Sequence, residues 1–276
     1  MILLKNEKGA DNKPALPLKA NAKVSVFGKN SVKLVTGGSG SACPGDADPK
    51  TIYESLEAAG FQTNKALKSF YESDKSGKGR SENPPMENGG VKELLTGETP
   101  MSSYPASVTD TFSEYGDAAL VVLSRIAGEN WDLPRVASDN PARHYLELDN
   151  NERALLKYLC ESNKFQHIVV LLNGSNYIDL GFLKMTNDPA FNNKIDACIN
   201  IGSVGGNGIM ALGRILNGTV NPSGHPVDTV YTKYQNDPTW KNFGNNVSYD
   251  NPNGSAGYVS STTGKATGYY TVSYEE

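Results

Sequence analysis

The sequence predicts an α/β fold: a mostly parallel sheet of about six strands with helices on both faces, a three-layer α/β/α sandwich. Three observations predict it. Short continuous apolar runs at 120–123 and 168–172 suit strands covered on both faces. Segments of helical period, 149–162 and 208–216, alternate with such runs. The strand-like runs stop at turn residues, at Gly28, Asn173-Gly174-Ser175 and Gly202.

Taken in order, residues 2–20 carry an apolar edge, Ile2-Leu3-Leu4, and then Pro14 and Pro17, and read as an entry segment before the sheet. Residues 24–27 form a short strand closed by Gly28. A second apolar stretch, 32–35, leads into Thr36-Gly37-Gly38-Ser39-Gly40-Ser41. Residues 51–59 predict a helix, with Thr51 as N-cap and Ile52, Leu56 and Ala59 at helical spacing, ended by Gly60. A further short helix is expected at 64–71. Residues 73–105 are rich in Ser, Gly, Lys, Glu and Pro, and read as a long surface insertion, partly ordered at best.

Sheet logic resumes at Asp117. The helix at 149–162 opens with Asp149 and Glu152 at capping-box spacing and lays Leu155, Leu156, Leu159 and Cys160 on one face. Strands follow at 167–172 and 196–201, then a helix at 208–216. Beyond Gly218 the chain is rich in Asn, Gly, Ser, Thr and Tyr. The expected organisation is a sandwich domain over 1–217 and an extended tail over 218–276 that wraps it or leads to a further domain.

Composition narrows the function. The chain has 276 residues and a formal net charge of -4, without a basic stripe, so nucleic acid is not an expected partner. No apolar run approaches bilayer length, so no membrane insertion is expected in this segment. Met1-Ile-Leu-Leu-Lys-Asn has no basic n-region or full apolar h-region, so it is not a signal peptide. The cysteines, Cys43, Cys160 and Cys198, fit no metal or disulfide spacing, and the last two read as small core residues. His144, on a loop, His167, opening a strand, and His225 lack ligand spacing; neither a metal nor a cofactor is expected. Of the four glycosylation sequons, Asn173 sits at a strand end, where a glycan fits poorly.

The chemistry points to Glu129. The strand at 117–124 runs into a loop in which Gly128 allows a sharp turn before that carboxylate. In open α/β sheets, ligands bind just beyond the carboxyl ends of the strands. Glu129 thus stands where a catalytic acid would stand; the alternative is a solvated loop carboxylate. The glycine-rich loop at 37–41 lacks the Gly-Lys-Ser/Thr of a phosphate cradle and has no ribose-binding acid nearby, which weakens a flavodoxin-like nucleotide reading. A plain tight turn is its other reading.

Several phrases, in order, resemble the second domain of family 3 glycoside hydrolases. They are Leu3-Leu4-Lys5-Asn6 with Leu16-Pro17-Leu18, Lys23-Val-Ser-Val-Phe27-Gly28, Gly37-Gly38-Ser39-Gly40-Ser41, Ser124-Arg125-Ile-Ala-Gly128-Glu129-Asn-Trp-Asp132, Val169-Val-Leu-Leu-Asn173-Gly174-Ser175 and Gly205-Gly206-Asn207-Gly208, closing on Asn221-Pro222-Ser223-Gly224. The resemblance covers roughly residues 2–245. It departs at Asp132-Leu133, where many members have Asp-Arg.

The resemblance implies a domain of a retaining β-glycosidase, β-glucosidase-like, that hydrolyses terminal non-reducing β-D-glycosyl residues of oligosaccharides or aryl glycosides. Glu129 becomes the general acid/base. Gly40 and Ser41 approach the sugar, Ser41 through its hydroxyl. Trp131 offers an apolar wall or stacking face, or else anchors its loop. Asp132 joins this set, or pairs with Arg125 to shape the loop. The nucleophile Asp of the family lies on a (β/α)8 barrel that this chain does not contain, so the isolated chain is expected to be inactive. The phrase His225-Pro-Val-Asp228-Thr resembles bacterial members, which leaves cytoplasm and cell surface or secretion open. The competing reading is a non-catalytic carbohydrate-binding or scaffolding module of the same fold.

Overall fold

The computed structural model describes residues 1–7, 13–38, 40, 43–45, 48–87, 90–129, 133–134, 137–184, 191 and 194–237. Its main sheet has six strands: β1 (Ile2–Asn6), β2 (Lys23–Phe27), β3 (Gln62–Thr63), β6 (Ala118–Ser124), β7 (Ile168–Asn173) and β8 (Ala197–Asn200). A small hairpin, β4 (Met86–Glu87) and β5 (Gly90–Val91), stands apart from it. The order across the main sheet is β1-β8-β7-β6-β2-β3. Every pairing from β3 to β8 is parallel, and β1 closes the β8 edge antiparallel.

Burial explains the continuous apolar runs. Along β6, Ala119, Val121 and Leu123 enter one core, while Ala118, Leu120 and Val122 enter the other. The first core is roofed by α2 (Lys65–Glu72), α3 (Ala106–Thr109) and α4 (Asn150–Ser162). The second is covered by α1 (Ile52–Ala58) and α5 (Met210–Leu216). A strand with a core on each side has no solvent face, so its sequence does not alternate. Cys160 on α4 and Cys198 on β8 are buried and free, as their spacing suggested.

The caps follow the sequence. Thr51 and Glu54 form a capping box on α1, and Asp149 and Glu152 form one on α4. One expectation about the strands needs correcting. Residues 2–6 are not an entry segment but the edge strand β1; Leu3 is 37% exposed and the other four residues are only half-buried, so the apolar signal is weak. The apolar stretch 32–35 begins at the end of a 3₁₀ turn, Lys29–Val32, and the two-residue β3 takes the sheet edge beside β2.

The stretch 73–105, expected as a loose surface insertion, is tied to the sandwich at named points. Leu94, Thr96, Glu98 and Thr99 are buried. Glu98 accepts the backbone N–H groups of Lys29 and Thr99, and Asn30 Nδ2 donates to the Thr96 carbonyl at 2.9 Å. These anchors are polar, so they leave no hydrophobic period in the sequence. The described part of the tail, 218–237, runs along the domain, where the Leu180 and Gly181 N–H groups donate to the Tyr231 and Thr232 carbonyls. No helix among the described residues is long and apolar enough to cross a membrane.

Candidate active site

The carboxyl ends of β2, β6, β7 and β8 share one edge of the sheet, and their loops converge there. Asn173, the last residue of β7, organises the convergence and is 2% exposed. Its Oδ1 accepts the Val35 N–H at 2.7 Å and the Ser124 hydroxyl at 2.9 Å. Its Nδ2 donates to the Val35 carbonyl at 3.0 Å and the Gly202 carbonyl at 2.9 Å. One amide therefore joins the β2 loop, the end of β6 and the β8 loop with all its bonding capacity used. Both amide hydrogens are committed inside the protein, so this sequon is closed to a glycan.

The β2 loop carries Gly40 up against Glu129. Gly40 has φ +62°, and a Cβ built on it would lie 2.8 Å from Glu129 Oε2. Any other side chain would be strained in that backbone and would press on the carboxylate. The two residues named from separate stretches of sequence thus come together in space. Glu129 itself is exposed on this domain. Ser41, Trp131 and Asp132 lie outside the described residues. Ser175 and Ser203, at the same edge, bring their hydroxyls within 3.0 Å of each other.

Arg125, four residues before Glu129, is 1% exposed. Its guanidinium meets Glu152 of α4 through two 2.7 Å hydrogen bonds. The remaining N–H groups go to the carbonyls of Tyr145 at 2.8 Å, Ser124 at 2.9 Å and Glu147 at 2.7 Å. That accounts for all five donors; the alternative pairing with Asp132 falls on a residue outside the described ones. Sequence reasoning named Glu152 as a cap, which it is; its Oε2 also accepts the Asp149 N–H at 2.9 Å. Nothing in the spacing showed that the same carboxylate holds Arg125.

One group among the described residues brings three metal-type ligand atoms within 4.8 Å of one another: His144, Glu147 and Asp179. His144 is fully buried, and its Nε2 lies 2.9 Å from Asp179 Oδ2. The Leu146 N–H donates to Nδ1 at 3.2 Å, which puts the ring proton on Nε2, facing Asp179. Hydrogen bonding alone accounts for this cluster. The N-terminus of α1 is likewise filled from within. Thr51 Oγ1 accepts the Glu54 N–H at 3.1 Å and Glu54 Oε2 accepts the Thr51 N–H at 2.8 Å, so a phosphate would compete with the chain's own carboxylate.

The chain matches the family described as "Glycosyl hydrolase family 3 C-terminal domain" over residues 1–274. It is 26% identical over 261 residues to a Beta-glucosidase A from Butyrivibrio fibrisolvens, covering 88% of this chain and 29% of that protein. It is 29% identical over 238 residues to a Beta-glucosidase from Ruminococcus albus, covering 85% of this chain and 23% of that protein. A crystal structure of a beta-glucosidase from Paenibacillus barengoltzii superposes with a TM-score of 0.68 at 27% identity, over 89% of this chain and 24% of that one. The chain thus spans less than a third of the length of the curated relatives it matches.

Proposed function

Because the chain belongs to the C-terminal domain family of the family 3 glycosyl hydrolases, we propose that it is the acid/base-bearing domain of a retaining β-glycosidase acting on terminal non-reducing β-D-glucosyl residues. The observation that carries this reading is the convergence of Gly40 and Glu129 at the carboxyl edge of the parallel sheet. The beta-glucosidase names of the relatives supply the substrate class.

Retaining hydrolysis needs two carboxyl groups about 5–5.5 Å apart. In this reading an Asp on a partner (β/α)8 barrel attacks the anomeric carbon as the glycosidic C–O bond breaks. Glu129 gives its proton to the leaving oxygen. It then takes one from the water that releases the sugar. A general acid works best where its surroundings hold the proton on, and the covering surface for exposed Glu129 comes from the barrel. Gly40 lets backbone approach the bound sugar, and Ser41 and Asp132 hydrogen-bond its hydroxyls. Trp131 provides the apolar wall. The sandwich is residues 1–217, and 218–276 form the tail that wraps it or leads onward.

The test is hydrolysis of a panel of aryl β-glycosides by this chain alone and by the full-length protein, each with Glu129→Gln. The chain alone is expected to be silent. The full-length protein is expected to cleave an aryl β-glucoside with a poor leaving group, such as the phenyl glucoside, and to lose roughly 10²–10⁴-fold in rate on it on substitution. Equal activity without Glu129 would remove the acid/base assignment and leave a binding or scaffolding module.

A further inference from the structure

The base of the Glu129 loop is clamped by one side chain that takes no part in the chemistry as described above. Tyr145 is 1% exposed and touches both residues that follow β6. Its carbonyl accepts Arg125 Nε at 2.8 Å, its ring lies 5.4 Å from the guanidinium carbon, and its hydroxyl accepts the Ile126 N–H at 3.1 Å. That N–H belongs to a residue just past the strand, where the ladder no longer supplies an acceptor. From the other side, Gly174 packs so closely on Arg125 that a Cβ there would lie 2.2 Å from the Arg125 carbonyl oxygen. Arg125 and Ile126 are therefore held on two sides. Residues 126–128, which carry the chain on to Glu129, are only half-buried. The direction in which they leave the clamp decides where the carboxyl arrives, and proton transfer is steeply sensitive to such placement.

We propose that Tyr145 is a positioning residue for Glu129, and that its hydroxyl, through the Ile126 N–H, serves the proton transfer to the leaving group. The proposal rests on the reading of Glu129 as general acid/base. In that step the proton moves from the Glu129 carboxyl to the glycosidic oxygen while the anomeric C–O bond breaks and the bond to the barrel carboxylate forms. A leaving group as basic as a sugar hydroxyl needs that proton. A dinitrophenolate leaves without it. Misplacing Glu129 therefore harms the first class of substrate selectively, whereas general loosening of the fold harms both alike.

The experiment uses the full-length protein with Tyr145→Phe, which removes one oxygen and keeps the ring and the carbonyl. kcat/KM, which reports the first bond cleavage, is measured on cellobiose and on 2,4-dinitrophenyl β-glucoside, with Glu129→Gln in parallel. Tyr145→Phe is expected to lower kcat/KM about tenfold on cellobiose and by no more than about twofold on the activated glucoside, a smaller copy of the Glu129→Gln pattern. If Glu129→Gln is selective and Tyr145→Phe is not, the positioning role is wrong while the acid/base reading stands. If Glu129→Gln itself shows no selectivity, the acid/base reading falls and takes this proposal with it. Should Tyr145→Phe fail to fold, a ring-fluorinated tyrosine at 145 decides: it keeps the volume and weakens the hydroxyl as an acceptor for the Ile126 N–H, and the same selectivity is expected.

Discussion

Asn173 shows how much one buried side chain can hold at this sheet edge. Asn173→Ala would strand the Val35 N–H, two carbonyls and the Ser124 hydroxyl where water does not reach them freely. The expected cost is about 2–4 kcal/mol of stability, read as a lower urea midpoint at unchanged slope. At the residue scale the sequence spoke unevenly. Glu129 was named from its place beyond a strand and Gly40 through the family resemblance, and the two lie together in space. Asn173 was visible as a strand-closing turn residue but not as a hub, and the pairing of Arg125 with Glu152 was not visible. Polar groups that meet across 27 or 138 positions leave no period in the chain. His144 was expected on a loop, and it is on one; its burial against Asp179 had no local signal.

At the scale of elements, the strands covered on both faces and the capped helices were readable, because core packing and capping are local patterns. β1 and β3 were not, since an edge strand is half solvated and a two-residue strand has no pattern to show. The polar anchoring of 94–99 was not readable for the same reason as Arg125. That anchoring has a measurable consequence. Burial pushes the Glu98 carboxyl up to about 8 from an ordinary value of 4.5; the backbone N–H groups of Thr99 and Lys29 oppose the rise, and the charges of Glu152 and Asp149 add to it. The unfolded chain therefore ionises first as pH rises. The stability from this group is whole below about pH 4.5 and declines up to about 8, by at most about 1.4 kcal/mol per pH unit. Glu98→Gln keeps an acceptor for both N–H groups and is expected to flatten that decline in thermal unfolding across pH 5 to 8. An unchanged slope would place the pH dependence in another group.

At the scale of the whole molecule, the domain presents an exposed carboxylate at the open end of a sheet whose strands are otherwise covered. In the proposed function, the surroundings of this carboxylate come from a neighbouring domain. On that proposal the fold is readable from this chain, while the choice of sugar and linkage belongs mainly to the proposed barrel. The measurement that tests this account most directly is azide rescue of Glu129→Ala in the full-length protein, with 2,4-dinitrophenyl β-glucoside as substrate. Removing the carboxyl opens space for a small anion that can attack the glycosyl-enzyme without a general base. The account predicts a slow variant whose turnover azide restores, with β-glucosyl azide as the product. Turnover that azide leaves unchanged, or full activity in its absence, would contradict it.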